Sequence, residues 1–135
     1  MNEVHLDTDV LIDLLEKGDP KKIISLMEKY DLKICAVVYF EFMTGAYKTD
    51  QGYLKNLLKK YFGVLPISIE AADCAAKIEA DLMNRGEAMD PRDAIIAATA
   101  IQRGAFLWAR NKKHFERLKR YGLKLIELEI GQTTR

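Results

Sequence analysis

Short apolar runs alternate along the chain with longer stretches in which apolar residues recur every three or four positions. The short runs are typical of buried strands and the longer stretches of amphipathic helices. The strands are predicted at residues 4–6, 32–38, 64–67, 105–108 and 123–128. Strands that alternate with helices predict a three-layer α/β/α sandwich with a mostly parallel five-stranded sheet and right-handed crossovers.

Capping residues mark the ends of the predicted helices. Asp9 is expected to begin the first helix, and Gly18 is expected to end it. Asp19-Pro20 and Asp90-Pro91 each combine an N-cap with a proline at the first helical position. The helix after Asp90 is almost wholly apolar, which predicts that it is buried. Further candidate N-caps are Asp50, Ser68 and Asn111.

Length and composition limit the class of protein. The 135 residues predict a single domain over residues 1–130 with a frayed tail at 131–135. A chain of this size buries about two thirds of its unfolded surface in one core. No apolar stretch approaches the roughly 18 residues of a membrane-spanning helix, and the amino terminus lacks a signal-peptide pattern. We therefore expect a cytoplasmic protein without membrane contact.

Charge and cysteine content exclude two ways of holding a ligand. The formal net charge of +1 gives no bulk attraction for nucleic acid, so a metal ion or a local basic patch would have to hold such a substrate. The two cysteines, Cys35 and Cys74, have no companion Cys or His at metal-ligand spacing. We expect both to be small core residues.

Three acids follow the predicted strands or begin the buried helix. Asp7 leaves the first strand, Glu41 follows the second, and Asp93 stands in the first turn of the buried helix. The carboxyl ends of parallel strands gather along one edge, so the three acids are expected to meet there. Crowded carboxylates raise each other's pKa values unless a cation compensates them. Oxygen ligands suit Mg²⁺ or Mn²⁺, which predicts phosphoester cleavage by a metal-activated water.

Each acid also has a purely structural interpretation. Asp9 and Asp90 fit the N-cap position of a helix. Asp93 fits the third helical position, where the helix dipole favours an acid. Glu41 fits a solvated helix residue. Spacing alone leaves both the metal site and these structural roles open.

Four sequence blocks occur in the order and spacing of a known family. They are LDTDVLI (6–12), YFEF (39–42) with GA (45–46), DAIIAATA (93–100), and Asn111 with His114-Phe115. Together they resemble the motif blocks of PIN-domain ribonucleases, and especially the VapC-like toxins of prokaryotic toxin-antitoxin pairs. The resemblance implies a three-layer α/β/α fold and an endoribonuclease that depends on Mg²⁺ or Mn²⁺. It also implies an RNA substrate, inhibition by a cognate antitoxin, and a homodimer.

The resemblance also implies roles for the matching residues. By position, the family's metal-binding acids correspond to Asp7, Glu41 and Asp93. Asn111 falls within the family's range at a fourth catalytic position, where its amide oxygen would position water or a second metal. Asp90, one helical turn before Asp93, is a further candidate ligand. Ala109 departs from the family pattern, because it lacks a hydroxyl that would form a hydrogen bond within the acidic cluster.

A basic stretch lies near the amino terminus of the last predicted helix. Cations there oppose the helix dipole, and such an unfavourable local choice indicates a function. We expect the stretch to contact the RNA backbone or an acidic part of an antitoxin, although a solvated surface would also explain it. The residues are Arg110, Lys112 and Lys113, with Arg92 as an additional contact. His5 is expected to be packed within its strand and His114 to lie on the surface, so neither is assigned a catalytic role.

Two other functions remain open from the sequence. Asp7-Thr8-Asp9-Val10 also resembles the nucleophile motif of haloacid-dehalogenase-type phosphatases. That function requires a later lysine and an acidic motif after a strand, whereas residues 86–93 follow a predicted helix. The second alternative is a degenerate PIN domain that binds RNA or protein without cleavage, for which Ala109 and Asn111 are the support.

Overall fold

The computed structural model describes residues 1–130, and the tail predicted at 131–135 lies outside the described residues. The strands are β1 (Asn2–Leu6), β2 (Tyr30–Cys35), β3 (Gly63–Leu65), β4 (Phe106–Trp108) and β5 (Lys124–Leu125). They form one sheet in the order β3-β2-β1-β4-β5. Every pairing is parallel, so the sheet is entirely rather than mostly parallel. The predicted α/β class is confirmed, and Asp7 follows the central strand.

Within residues 1–130, seven α-helices and a 3₁₀ segment connect the strands. The α-helices are α1 (Thr8–Lys17), α2 (Pro20–Lys29), α3 (Ala36–Lys48), α4 (Leu54–Tyr61), α5 (Ile69–Asn84), α6 (Pro91–Gln102) and α7 (Lys112–Glu116). The 3₁₀ segment is Arg117–Tyr121. The chain steps from β1 to β3 in one direction and then returns past β1 to β4 and β5. For this strand order, right-handed crossovers would place helices on both faces of the sheet. The reversal opens a crevice beside β1 at the carboxyl edge, where such folds bind ligands.

Local interactions explain the first boundary that differs from the prediction. Asp7, and not Asp9, caps α1, because an Asp7 carboxylate oxygen accepts a hydrogen bond of 2.9 Å from the Val10 N–H. Asp9 lies one residue inside the helix, which begins at Thr8. Both acids have capping chemistry, and the sequence pattern alone favoured the wrong one.

The second strand ends earlier than predicted. Strand β2 stops at Cys35, and residues 36–38 already form the first turn of α3. Val37 and Val38 are buried in that turn, and a short buried run has the same composition in a strand as in a helix. This difference brings the start of α3, and with it Glu41, closer to the end of the strand.

Later boundaries differ in smaller ways. Asp50 does not cap α4, which begins at Leu54 without a side-chain cap, and Asp50 instead adopts a positive φ of 59°. The last predicted helix is divided into the short α7 and the 3₁₀ segment. The fifth strand pairs only over Lys124–Leu125. By contrast, Asp19, Ser68, Asp90 and Asn111 cap their helices with side-chain oxygens, as predicted.

The core lies on both sides of β1. Val4 and Leu6 of this strand are fully buried, as are Leu11 and Leu14 of α1. Helix α6 is also buried along most of its length, as predicted from its apolar composition. Cys35 is a core residue, whereas Cys74 is only partly buried. No helix within residues 1–130 is both long and apolar enough to cross a membrane.

Candidate active site

An open pocket of about 200 Å³ brings together the three acids singled out by the sequence. Asp7, Glu41 and Asp93 all line it, and Asp9 adds a fourth carboxylate. The Asp7 N–H donates a hydrogen bond of 3.1 Å to the Trp108 carbonyl, which ties the end of β1 to β4. The pocket therefore lies beside the end of the central strand, where the direction of the strand order reverses.

Asp7 is the most buried acid of the pocket, with 8% of its surface exposed. Burial, and to a smaller extent the negative charges of Asp9 and Asp93, raise the pKa of Asp7 to about 6. The backbone N–H groups of Val10 and Arg110 act in the opposite direction by stabilising the carboxylate. The pocket thus holds negative charge that the chain only partly compensates.

Glu41 is held by two side chains and is not a freely solvated helix residue. The Thr8 hydroxyl donates a hydrogen bond of 2.6 Å to one carboxylate oxygen of Glu41. An Arg92 guanidinium nitrogen lies 3.2 Å from the other oxygen. Sequence reasoning gave Thr8 no role in the site. The signal that could have revealed it is a hydroxyl next to Asp7 at the end of the central strand.

Asp93 occupies the third position of α6, and its carboxylate is also held from outside the helix. The His114 Nε2 lies 3.1 Å from an Asp93 carboxylate oxygen. The expectation that His114 is a surface residue is therefore wrong, because its half-buried ring reaches the site from α7. His5 is buried within β1 as expected, and its Nε2 lies 2.7 Å from a Glu3 carboxylate oxygen.

Asn111 and Asp90 act as helix caps at the edge of this site. The Asn111 side-chain oxygen accepts a hydrogen bond of 3.3 Å from the His114 backbone N–H. Asp90 accepts one of 2.9 Å from the Arg92 N–H, and its carboxylate also pairs with the Arg92 guanidinium at 2.8 Å. The Arg92 side chain lowers the pKa of Asp90. Neither Asn111 nor Asp90 lines the acidic pocket.

The basic stretch is divided between protein contacts and solvent. The Arg110 guanidinium contacts both oxygens of Asp13 at 3.1 and 3.2 Å and an oxygen of Asp9 at 3.3 Å. Lys112 pairs with Glu127 at 2.6 Å, and Lys113 is exposed. Arg110 therefore joins the loop after β4 to α1, a role that sequence spacing did not indicate.

The pocket has the chemistry of a site for a hard divalent cation. Its acids supply carboxylate oxygens, which Mg²⁺ and Mn²⁺ prefer, and the raised pKa of Asp7 indicates charge that a cation would neutralise. Over residues 1–130, however, no three acidic, His or Cys side chains are already grouped closely enough to hold a metal ion. The acids face their protein partners instead, so ion binding would require side-chain rotation.

The fold and the site define a class of protein, namely an all-parallel α/β domain with an acidic pocket at the carboxyl edge of its sheet. The sequence model of the PIN domain matches residues 4–121. The chain belongs to the PIN-domain family. This membership confirms the resemblance seen in the sequence blocks.

Two relatives cover almost the whole chain. Ribonuclease VapC1 of Methanocaldococcus jannaschii is 36% identical over 126 residues, which are 93% of this chain and 88% of the relative. A VapC ribonuclease of Pyrococcus furiosus is 30% identical over 129 residues, with coverages of 94% and 87%.

Solved structures share the fold. VapBC-1 from nontypeable Haemophilus influenzae aligns with a TM-score of 0.79 at 24% identity, covering 93% of this chain and 97% of the other. DNA-bound VapBC from Salmonella typhimurium aligns with a TM-score of 0.77 at 23% identity, covering 94% of this chain and 98% of the other.

The phosphatase alternative loses its support, since α5 and α6 follow each other without the strand that its acidic motif requires.

Proposed function

We propose that this protein is a metal-dependent endoribonuclease of the cytoplasm and the toxin of a VapBC-type toxin-antitoxin pair. The observation that carries the proposal is the convergence of Asp7, Glu41 and Asp93 on one pocket at the carboxyl edge of the sheet. The names of the two VapC relatives support the substrate class. Mg²⁺ or Mn²⁺ is the proposed cofactor, because the pocket offers only hard oxygen ligands among its charged groups.

The residues of the chain prepare the pocket for an in-line attack of water on a phosphodiester. Asp7, Glu41 and Asp93 would hold the ion, which would supply charge stabilisation at the phosphoryl oxygen and make water more acidic. Thr8 fixes one oxygen of Glu41, while the Val10 N–H fixes one oxygen of Asp7. These contacts restrain the Asp7 and Glu41 carboxylates beside the pocket, so that few side-chain rotations would be needed to bind an ion.

Two further residues complete the proposed site. The Asn111 side-chain oxygen is engaged with the His114 N–H, so Asn111 would contribute its amide hydrogens to a phosphate or to a water beside it. Asp90 is proposed to act indirectly by holding Arg92, whose guanidinium also neutralises part of the Glu41 charge. Arg92 is then positioned to meet the RNA backbone at the rim of the pocket.

Cleavage of RNA by the purified chain tests the proposed activity. We expect cleavage in the presence of Mg²⁺ or Mn²⁺, its loss with a chelator, and a fall on the order of a hundredfold or more in Asp93→Asn. Asp73→Asn is the matched control, because Asp73 is an exposed acid of α5 paired with Lys77. Cleavage that persists in the chelator or in Asp93→Asn would contradict the proposal. Binding of RNA without cleavage under both metals would instead support the degenerate alternative.

The exposed part of the basic stretch is proposed to contact RNA phosphates. Lys113 is exposed beside the site, and Lys112 forms an ion pair with the exposed Glu127. We expect Lys113→Ala to weaken RNA binding and to reduce the salt dependence of the binding constant by a slope of about 0.7 for single-stranded RNA. Fluorescence anisotropy at several salt concentrations measures both. Lys77→Ala on α5 is the control, and an identical salt slope in Lys113→Ala and the parent chain would exclude this contact.

An antitoxin and a second copy of the chain are the proposed protein partners. The solved structures that share the fold include a toxin-antitoxin complex from Klebsiella pneumoniae, which supports an antitoxin as a partner. Phe40 and Tyr53 are large aromatic side chains with 62% and 66% of their surface exposed, and a homodimer would cover them. The RNA-cleavage assay also tests the proposed antitoxin, because an antitoxin coexpressed with the chain should suppress cleavage. Light scattering of the chain alone should give twice its mass of 15.4 kDa.

A further inference from the structure

The His114 side chain approaches the acidic pocket from an element that contributes no pocket-lining residue. Its Nε2 lies 3.1 Å from an Asp93 oxygen, and Asp93 and His114 are 21 residues apart in sequence. About 29% of the His114 side chain and 33% of the Asp93 side chain are exposed, so the contact is half-buried. Among the described residues, His114 is the side chain within hydrogen-bond distance of the Asp93 carboxylate.

Local structure fixes the His114 ring in this orientation. Asn111 caps α7 by accepting a hydrogen bond from the His114 backbone N–H. The His114 ring also packs edge to face against Phe115, with 5.0 Å between the ring centroids, and Phe115 is a core residue with 2% of its surface exposed. The cap restrains the His114 backbone and the aromatic contact restrains its ring, so the ring is held toward Asp93.

The other two acids proposed to hold the ion are each held by a hydrogen-bond donor. Asp7 is held by the Val10 N–H and Glu41 by the Thr8 hydroxyl. Asp93 lies at the amino end of α6, where its backbone is fixed but its carboxylate can still rotate about the side-chain bonds. Without His114, this carboxylate would be the least restrained of the three.

We propose that His114 is a positioning residue that orients the Asp93 carboxylate for cation binding. With its proton on Nε2, His114 donates to one oxygen of Asp93 and leaves the other oxygen directed to the pocket. This inference rests on the proposed metal-dependent function and assigns His114 no proton transfer in the reaction. Partners of this kind typically alter metal affinity or activity by about 10-fold to 100-fold when they are removed.

Two substitutions of His114 separate positioning from packing. His114→Leu keeps an apolar side chain beside Phe115 and removes the donor, whereas His114→Gln keeps an N–H at a similar distance from the backbone. We expect His114→Leu to weaken Mn²⁺ binding to the RNA-free protein by about 10-fold or more, and His114→Gln to restore most of it. Isothermal titration calorimetry with Mn²⁺ alone measures this affinity. Glu116→Gln, an exposed change on the same helix, is the control.

Steady-state kinetics give the second measurement. His114→Leu should lower kcat at saturating Mn²⁺ while the KM for RNA stays close to that of the parent chain, because His114 holds an acid and not the substrate. Equal Mn²⁺ affinity and equal kcat in His114→Leu and the parent chain would overturn the inference. Equal losses in His114→Leu and His114→Gln would do so as well, since packing alone would then explain them.

The outcome also distinguishes this inference from the proposed function. A parent chain that neither binds Mn²⁺ nor cleaves RNA would remove the proposed function and, with it, the role of His114. A parent chain that binds Mn²⁺ and loses it in Asp93→Asn, but not in His114→Leu, would keep the function and exclude only the positioning role.

Discussion

Asp7→Asn is expected to give a protein that no longer cleaves RNA and that is more stable than the parent chain in metal-free buffer at neutral pH. Asp7 is 8% exposed, and burial raises its pKa to about 6. The ionised Asp7 carboxylate therefore destabilises the folded protein. Asparagine removes that charge and is as good an N-cap as aspartate, so the hydrogen bond from the Val10 N–H is retained. The gain is expected to be roughly 1 to 3 kcal/mol, at 1.36 kcal/mol per pKa unit.

The pH dependence of this gain has a defined sign. The folded protein binds the Asp7 proton more tightly than the unfolded chain does, since the pKa rises from 3.8 to about 6. The stability of the parent chain therefore falls, as far as Asp7 is concerned, while the pH rises from about 4 to about 6. The advantage of Asp7→Asn should be absent below pH 4, grow through this window, and stay constant above it.

Urea denaturation with a chelator present, repeated from pH 4 to pH 8, measures the difference between the two proteins. Asp7→Ala is the control, because it removes the charge and the N-cap together and should be about 1 kcal/mol less stable than Asp7→Asn. Saturating Mn²⁺ should reverse the order of stability, because it should stabilise the parent chain, which binds it, and not Asp7→Asn. A parent chain more stable than Asp7→Asn at pH 8 without metal would contradict the argument.

The parts of the site that were predictable from sequence are those encoded by neighbouring residues. Asp7 follows a buried run and precedes an apolar helical pattern, which indicates a strand end in an α/β fold. Asp90-Pro91 likewise encodes the start of α6 and so the location of Asp93. Parallel strands then bring these ends together, because the fold class determines which edge they share.

The parts that were not predictable depend on contacts between distant segments. His114 contacts Asp93 from α7, 21 residues later in the chain, and no local sequence pattern indicates that contact. The change from β2 to α3 at Cys35 was also hidden, since buried strands and buried helix starts share their apolar composition. Arg110 shows the same limit. Its sequence neighbours suggest a basic patch, whereas the acid that it contacts in the fold, Asp13, lies 97 residues earlier in the chain.

Arg110→Ala is expected to lower the free energy of unfolding by about 1 to 3 kcal/mol and to weaken the site only indirectly. Asp13 has 8% of its surface exposed and accepts two hydrogen bonds from the Arg110 guanidinium. Removing the guanidinium takes two hydrogen bonds from this buried carboxylate and leaves the Lys17 amine at 3.6 Å as its charged partner among the described residues. A buried carboxylate that loses hydrogen bonds is left partly uncompensated, which sets the size of the effect.

A double-mutant cycle with Asp13→Asn isolates the pair. The two single substitutions should each destabilise the protein, and the double substitution should cost less than their sum by on the order of 1 kcal/mol, because both remove the same interaction. Lys112→Ala is the matched control, since Lys112 belongs to the same basic stretch but pairs with an exposed acid, and we expect no measurable loss of stability. The opposite result, unchanged stability in Arg110→Ala together with weaker RNA binding, would mean that the guanidinium leaves Asp13 for the RNA. Stability and RNA affinity measured on the same variants thus decide whether Arg110 serves the scaffold that holds the acids or the proposed RNA substrate.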